Sequence, residues 1–295
     1  MTHPLISFLT LHIFVCFGWL AKRIFKTKLD EQSLVLISVY FLQPILIFWG
    51  LLQRPLDFNL CLVPSLYLVS LIVASILLCS THLLKIDKKE QSILKITGII
   101  SNTGNLGIPL GLLLFGPTSV PFTSMINLIN AIYIFTVGAY IYSRGTFSIK
   151  KSCTNVLKLP MIWAALLAII SQLSALEFPE LLMHVLKMGA YSTMVLQLII
   201  FGSFIATIQY KHVNFLTITG VQCIKFLFFP AILWIIIQQI NLPTMALQCL
   251  ILQSFMPIAV NNLNFAALYD CYPKQVAMHA VISSLIALIV VPIIL

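Results

Sequence analysis

Ile99-Ile100-Ser101-Asn102-Thr103-Gly104-Asn105-Leu106-Gly107-Ile108-Pro109-Leu110-Gly111 is the stretch that decides the fold. It lies inside an apolar run of membrane-spanning length, about 17–25 residues, yet it carries the residues that open a helix. Proline removes a backbone donor and clashes with the preceding turn. Glycine loosens the backbone further, and five of the chain's 12 glycines lie between 98 and 116. Two asparagines and a threonine stand ready to satisfy the freed groups. A backbone broken at membrane depth is tolerated where it is buried in protein or lines a cavity.

A second run repeats the theme without glycine: Gln253-Ser254-Phe255-Met256-Pro257-Ile258-Ala259-Val260-Asn261-Asn262-Leu263-Asn264. Of the chain's 11 asparagines, seven (102, 105, 127, 130, 261, 262 and 264) fall in these two runs and the one after the first. One reading is a pair of proline kinks whose amides glue helices together. The other is a site. Breaking a helix exposes a new N-terminus with partial positive charge and free N–H groups, and two such ends meeting near the midplane attract an anion. On the second reading the candidate substrate-binding residues are Asn102, Thr103, Asn105, Gly107, Pro109, Asn130, Pro257 and Asn261. Asn262 and Gln253 are the candidates for holding an ion.

Working outward, the whole chain is apolar. Of its 295 residues, 60% are hydrophobic and 8% charged, against roughly 25% charged in a soluble domain. That composition predicts an all-α polytopic membrane protein in a lipid bilayer. Ten spans are expected, at about 5–21, 34–52, 60–83, 93–115, 121–143, 160–175, 184–208, 218–237, 244–267 and 275–294. The first run lacks a basic segment before it and is read as a retained helix rather than a signal peptide. The seven cysteines are scattered with no C-x-x-C pair and read as small apolar side chains within helices.

The basic residues test the count. Of 17 Lys and Arg, 14 fall in odd-numbered connections, as in the clusters Lys22, Arg23, Lys26, Lys28 and Arg144, Lys150, Lys151, Lys158. Arg54 alone lies in a connection on the other side. The net charge of +9 is therefore a topology signal and not a nucleic-acid footprint. The positive-inside rule puts both termini outside the cytoplasm, and the expected location is a plasma (bacterial inner) membrane. Ten spans divide as five plus five, so the second half runs opposite to the first, the arithmetic of an inverted repeat. The expected units are 1–143, a basic cytoplasmic connection at 144–159, and 160–295.

At the broken runs the sequence resembles the auxin efflux carrier family, in its bacterial branch. Asn102-Thr103-Gly104-Asn105-Leu106-Gly107-Ile108-Pro109 is similar to that family's N-x-G-N-x-G-x-P signature, Met256-Pro257-x-Ala259-Val260-Asn261 to its second motif, and Tyr40 to Phe48, with Pro44, to its second helix. The likeness runs over essentially the whole chain. It implies two inverted five-helix repeats whose fourth and ninth helices cross at their prolines, here Pro109 and Pro257. It also implies organic anions such as auxin, malonate or malate as substrates, moved by an elevator-like motion. Plant members often carry a long central cytoplasmic loop, whereas that connection here has only about 15 residues.

The eight acidic residues all lie in connections or at span ends. Intramembrane carboxylates are the usual proton relays and strong Na⁺ ligands. Their absence leaves an anion moving down its own gradient, or Na⁺ held by amides and unwound carbonyls. The expected function is thus an efflux-type carrier of a small carboxylate with no cofactor, the alternatives being a Na⁺-coupled symporter and a passive anion channel. A homodimer is compatible with the sequence. Lys225 is the one candidate intramembrane cation; one reading has it neutralising a bound carboxylate, and the expected one has it snorkelling to the cytoplasmic interface near the start of the eighth span. His12 and His279 read as polar packing residues. No H-E-x-x-H, G-x-S-x-G or intramembrane Asp pair supports an enzyme.

Overall fold

The computed structural model describes residues 4–53, 55, 57–80, 86–143, 160–207 and 215–294. The basic connection at 144–159 and Arg54, Lys85 and Lys211 lie outside the described residues. The helical stretches are α1 (Pro4–Phe25), α2 (31–52), α3 (Phe58–Leu78), α4 (Lys88–Ile96), α5 (Thr103–Phe115), α6 (Pro117–Ser143), α7 (Pro160–Leu173), α8 (Glu180–Ala206), α9 (Phe215–Ile237), α10 (Thr244–Phe255), α11 (Asn261–Leu268) and α12 (Pro273–Ile294). No strand occurs among the described residues; β structure is limited to one isolated bridge. Among the described residues five helices, α3, α6, α8, α9 and α12, are long and apolar enough to cross a membrane. Each expected span overlaps a described helix, and the two broken spans correspond to α4–α5 and α10–α11.

The partition of side chains is that of a protein in lipid. Phe41, Leu181 and Ile293 are exposed, while Asn102, Gln197, Gln253, Asn262 and His279 are buried. Hydrocarbon outside cannot satisfy polar groups, so these collect inside. Helix starts are set at the connections: Asp57 accepts the Leu60 N–H at 2.7 Å and Asp87 the Lys89 N–H at 3.0 Å, capping α3 and α4. Capping of this kind satisfies donors that the first turn leaves free.

Among the described residues four π turns interrupt the helices, at Ser38–Leu42, Thr103–Gly107, Ile134–Gly138 and Ile224–Phe228. Three are followed two residues later by a proline: Pro44, Pro109 and Pro230. A proline within a helix displaces the carbonyl four residues back. The wider turn moves that carbonyl aside, and the residue before each proline instead donates five residues back, as Gln43 does to Ser38 and Ile108 to Thr103. The prolines therefore stay inside long helices.

α1 packs along α8, and α7 packs along the second half of α2. The first pair touches backbone to backbone. A Cβ on Gly18 would lie 1.9 Å from the Ile199 carbonyl oxygen, and one on Gly202 1.9 Å from that of Val15. Between these pairs and the side formed by α3, α6 and α9 sit the two broken helices. Ile100 and Ile258, at the breaks, are fully buried in the largest apolar cluster with Tyr67, Phe122 and Phe229.

Candidate functional site

The chain leaves helical geometry after Ile96 and again after Phe255. The freed segments run antiparallel and pair through one bridge, Ser101 with Ile258. The Asn102 N–H donates to the Pro257 carbonyl at 2.6 Å, and the Ala259 N–H to the Ile100 carbonyl at 3.0 Å. A third donor, the Ile258 N–H, goes to Ser283 Oγ at 3.0 Å. Backbone groups that a helix would have paired internally are thus paired across the break, as burial requires.

Side chains brace the bridge from both sides. Asn130 Nδ2 donates to the Ser101 carbonyl at 2.8 Å and to Thr103 Oγ1 at 3.1 Å. Thr103 Oγ1 in turn donates to Asn127 Oδ1 at 2.9 Å. The Asn102 side chain accepts the Asn105 N–H at 3.3 Å, capping the new helix start. Asn262 Nδ2 donates to the Ala259 carbonyl at 3.2 Å, and Tyr142 Oη donates to Asn262 Oδ1 at 3.1 Å.

A cavity of about 70 Å³ opens beside the bridge. The structure brings five of the candidate residues to its wall: Asn102, Thr103, Asn105, Asn130 and Asn261. Asn127 joins them, with Gln43 and Ser38 from α2 and Gln197 from α8. Phe135, Met161 and Ile200 supply apolar wall, and among the described residues no acidic or basic side chain lines the space. Asn102 Nδ2 and both polar atoms of Gln197 are buried with no hydrogen-bond partner among the described residues. A buried polar group left unpaired costs about 1–3 kcal/mol, so these atoms mark where a ligand or water belongs.

Several expectations are corrected. Pro109 is not at the point of contact. It falls on the first turn of the α-helical part of α5, where a proline is tolerated, and the chain opens upstream at 97–102. Pro257 is at the contact, through its carbonyl. Gly107 does not line the cavity; it is the seat of Gln253, whose Oε1 would be 2.1 Å from a Cβ there. Gln253 and Asn262 also lie off the cavity wall, the former fully buried and the latter committed to the bridge and Tyr142. Lys225 does not snorkel. Its π turn carries it inward, where it is fully buried, donating to Ser101 Oγ and, at 2.8 Å, to the Ser254 carbonyl. His279 is buried, and its ring nitrogens meet no partner among the described residues.

Sequence reasoning missed Gln43, Gln197 and Ser38. Each is a polar residue in a mostly apolar stretch of helix, and only a helix-face count relative to Pro44 would have singled out Gln43.

The sequence model of the family described as membrane transport protein matches residues 3–295. An uncharacterized transporter of Methanocaldococcus jannaschii is 24% identical over 299 residues, covering 98% of this chain and 96% of that one.

Proposed function

The chain belongs to the membrane transport protein family, so it is a multi-pass membrane transporter and not an enzyme, and from that premise we propose that it carries a small organic anion, a carboxylate. The family resemblance read at the broken spans is borne out by this match. The observation that carries the substrate class is the cavity wall. It offers an unpaired buried donor on Asn102 and unpaired amide atoms on Gln197, next to a fresh helix start, with no carboxylate to repel an anion. A carboxylate there accepts from amides and backbone N–H groups, the pairing that helix N-termini favour.

The transport cycle in this reading is alternating access with an elevator-like displacement of the broken helices against the α1–α8 and α2–α7 pairs. Ten spans in two inverted repeats, with both termini outside a plasma membrane, complete it. The packing supports the repeat. If the first span matches the sixth and the second the seventh, the pair α1–α8 becomes the pair α7–α2 under the exchange, and both pairs are packed. Export needs no coupled ion, because an outward-moving monoanion gains about 2.3 kcal/mol per 100 mV of inside-negative potential. The test is uptake of labelled carboxylates into proteoliposomes of purified protein. Flux saturates with substrate, follows an imposed potential and survives collapse of the pH gradient. Flux that stops on that collapse, or non-saturating single-channel currents, would sink the reading.

A further inference from the structure

We propose that Lys225 is the fixed counter-charge of the substrate site, a built-in cation that stands in for a co-bound one. The inference rests on the reading of the cavity as an anion site. Lys225 is the only Lys or Arg buried among the described residues, at 0% exposure. Its ammonium meets Ser101 Oγ, the Ser254 carbonyl at 2.8 Å and the face of the Phe229 ring at 5.2 Å. None of these partners is an anion, and the ion pairs Lys22–Glu31, Lys89–Asp270 and His184–Glu180 lie elsewhere.

A buried charge without an opposite charge is costly, and an anion brought into the cavity supplies the opposite charge. The position says where that charge goes. Ser101 is both the lysine's partner and part of the cavity wall, and it is the bridge residue itself. The lysine stands behind the wall, one hydroxyl away from the space. There it acts on a bound anion through the field and not by contact. Its two oxygen partners, a hydroxyl and a helix-end carbonyl, are the donor types that otherwise hold an alkali cation. With the ammonium in that place the loaded centre approaches neutrality without Na⁺.

The experiment is binding to purified full-length protein of benzoate, malonate and the neutral isostere benzamide, in sodium and in choline buffers. The wild type binds benzoate at least tenfold more tightly than benzamide, equally in both buffers. Lys225→Gln keeps a donor for Ser101 and Ser254 but removes the charge; it weakens benzoate on the order of tenfold and leaves benzamide unchanged. Lys225→Met behaves the same way. If Lys225→Gln binds benzoate like the wild type, or loses both probes alike, the lysine is a structural strap and the inference fails while the anion site stands. If neither variant folds, the wild type still decides: equal affinity for benzoate and benzamide, or a need for Na⁺, overturns it. A wild type that binds none of the carboxylates overturns both readings.

Discussion

The backbone N–H of Asn102 is bonded to the carbonyl of Pro257 across 2.6 Å, joining residues 155 positions apart at the buried centre of the molecule. That bond fixes the Asn102 backbone, while its side-chain oxygen is taken by the Asn105 N–H. Its Nδ2 is left as a donor beside the cavity.

Removing cavity amides weakens the substrate and spares the fold. A hydrogen bond to a charged group contributes roughly 1.5–3 kcal/mol. Asn105→Ala or Asn261→Ala therefore raises the apparent Kd about tenfold to a hundredfold. Asn102→Asp keeps the cap to Asn105 but sets a negative charge against the anion, and it does worse. Ser65→Ala, on the exposed face of α3, changes nothing. Titration of the purified variants checks this; unchanged affinity in all three cavity variants would move the site elsewhere.

Gly107 and Gln253 form a size-matched pair. Gly107→Ala drives a methyl against the Gln253 amide and overpacks the region at a cost of about 1–3 kcal/mol. Gln253→Ala removes the obstacle, so the double variant melts above Gly107→Ala alone. Additive melting shifts in this cycle would show that the two do not communicate.

The Lys89–Asp270 contact, 2.6 Å, ties the start of α4 to the turn after α11. The hydrogen bond that Lys89 donates to the Asp270 carboxylate raises the Lys89 pKa above its usual value, with desolvation acting the other way. A raised lysine pKa means the contribution is complete below the unfolded value, about 10.4, and is lost only as pH climbs through the higher folded value. Melting of wild type minus Asp270→Asn is thus flat through neutrality and shrinks in strong alkali. Both partners are exposed enough for salt to screen them. A difference that disappears near neutral pH would contradict this assignment.

Reporter fusions after residues 30, 88, 150 and 295 test the charge-derived topology. The first three report a cytoplasmic location and the last an external one. A cytoplasmic reporter at 295 would refute the ten-span arrangement.

The breaks were legible because proline and asparagine inside an apolar run have few other uses. Their depth and partner were less so. Pro109 marked the neighbourhood, but the π turn at Thr103–Gly107 absorbed it, so the chain opened earlier, where the bridge to Ile258 could form. Asn102, Thr103, Asn105, Asn130 and Asn261 were found because they cluster in sequence or flank the breaks. Gln43 and Gln197 reach the same cavity from other helices, and a lone glutamine in an apolar helix carries no local mark of its direction. Lys225 was misjudged for a related reason: a long cation near a helix start reads as interfacial, and nothing in the sequence announces that a π turn rotates it inward.

A π turn holds one residue more than the α turn it replaces, which makes each of the four a stored insertion. Such a residue can in principle be handed back by a single-codon deletion. At Ser38–Leu42, Thr103–Gly107 and Ile224–Phe228 the return is blocked, because the proline two positions on would then meet the carbonyl that the wide turn had moved away. Ile134–Gly138 has no such proline. Loss of one residue there closes the wide turn into an ordinary α turn and leaves the rest of the helix facing as before. In α6 that remainder runs to Ser143 and carries Tyr142, whose hydroxyl holds Asn262, so of the four turns this is the one that can lose a residue with its brace still in place.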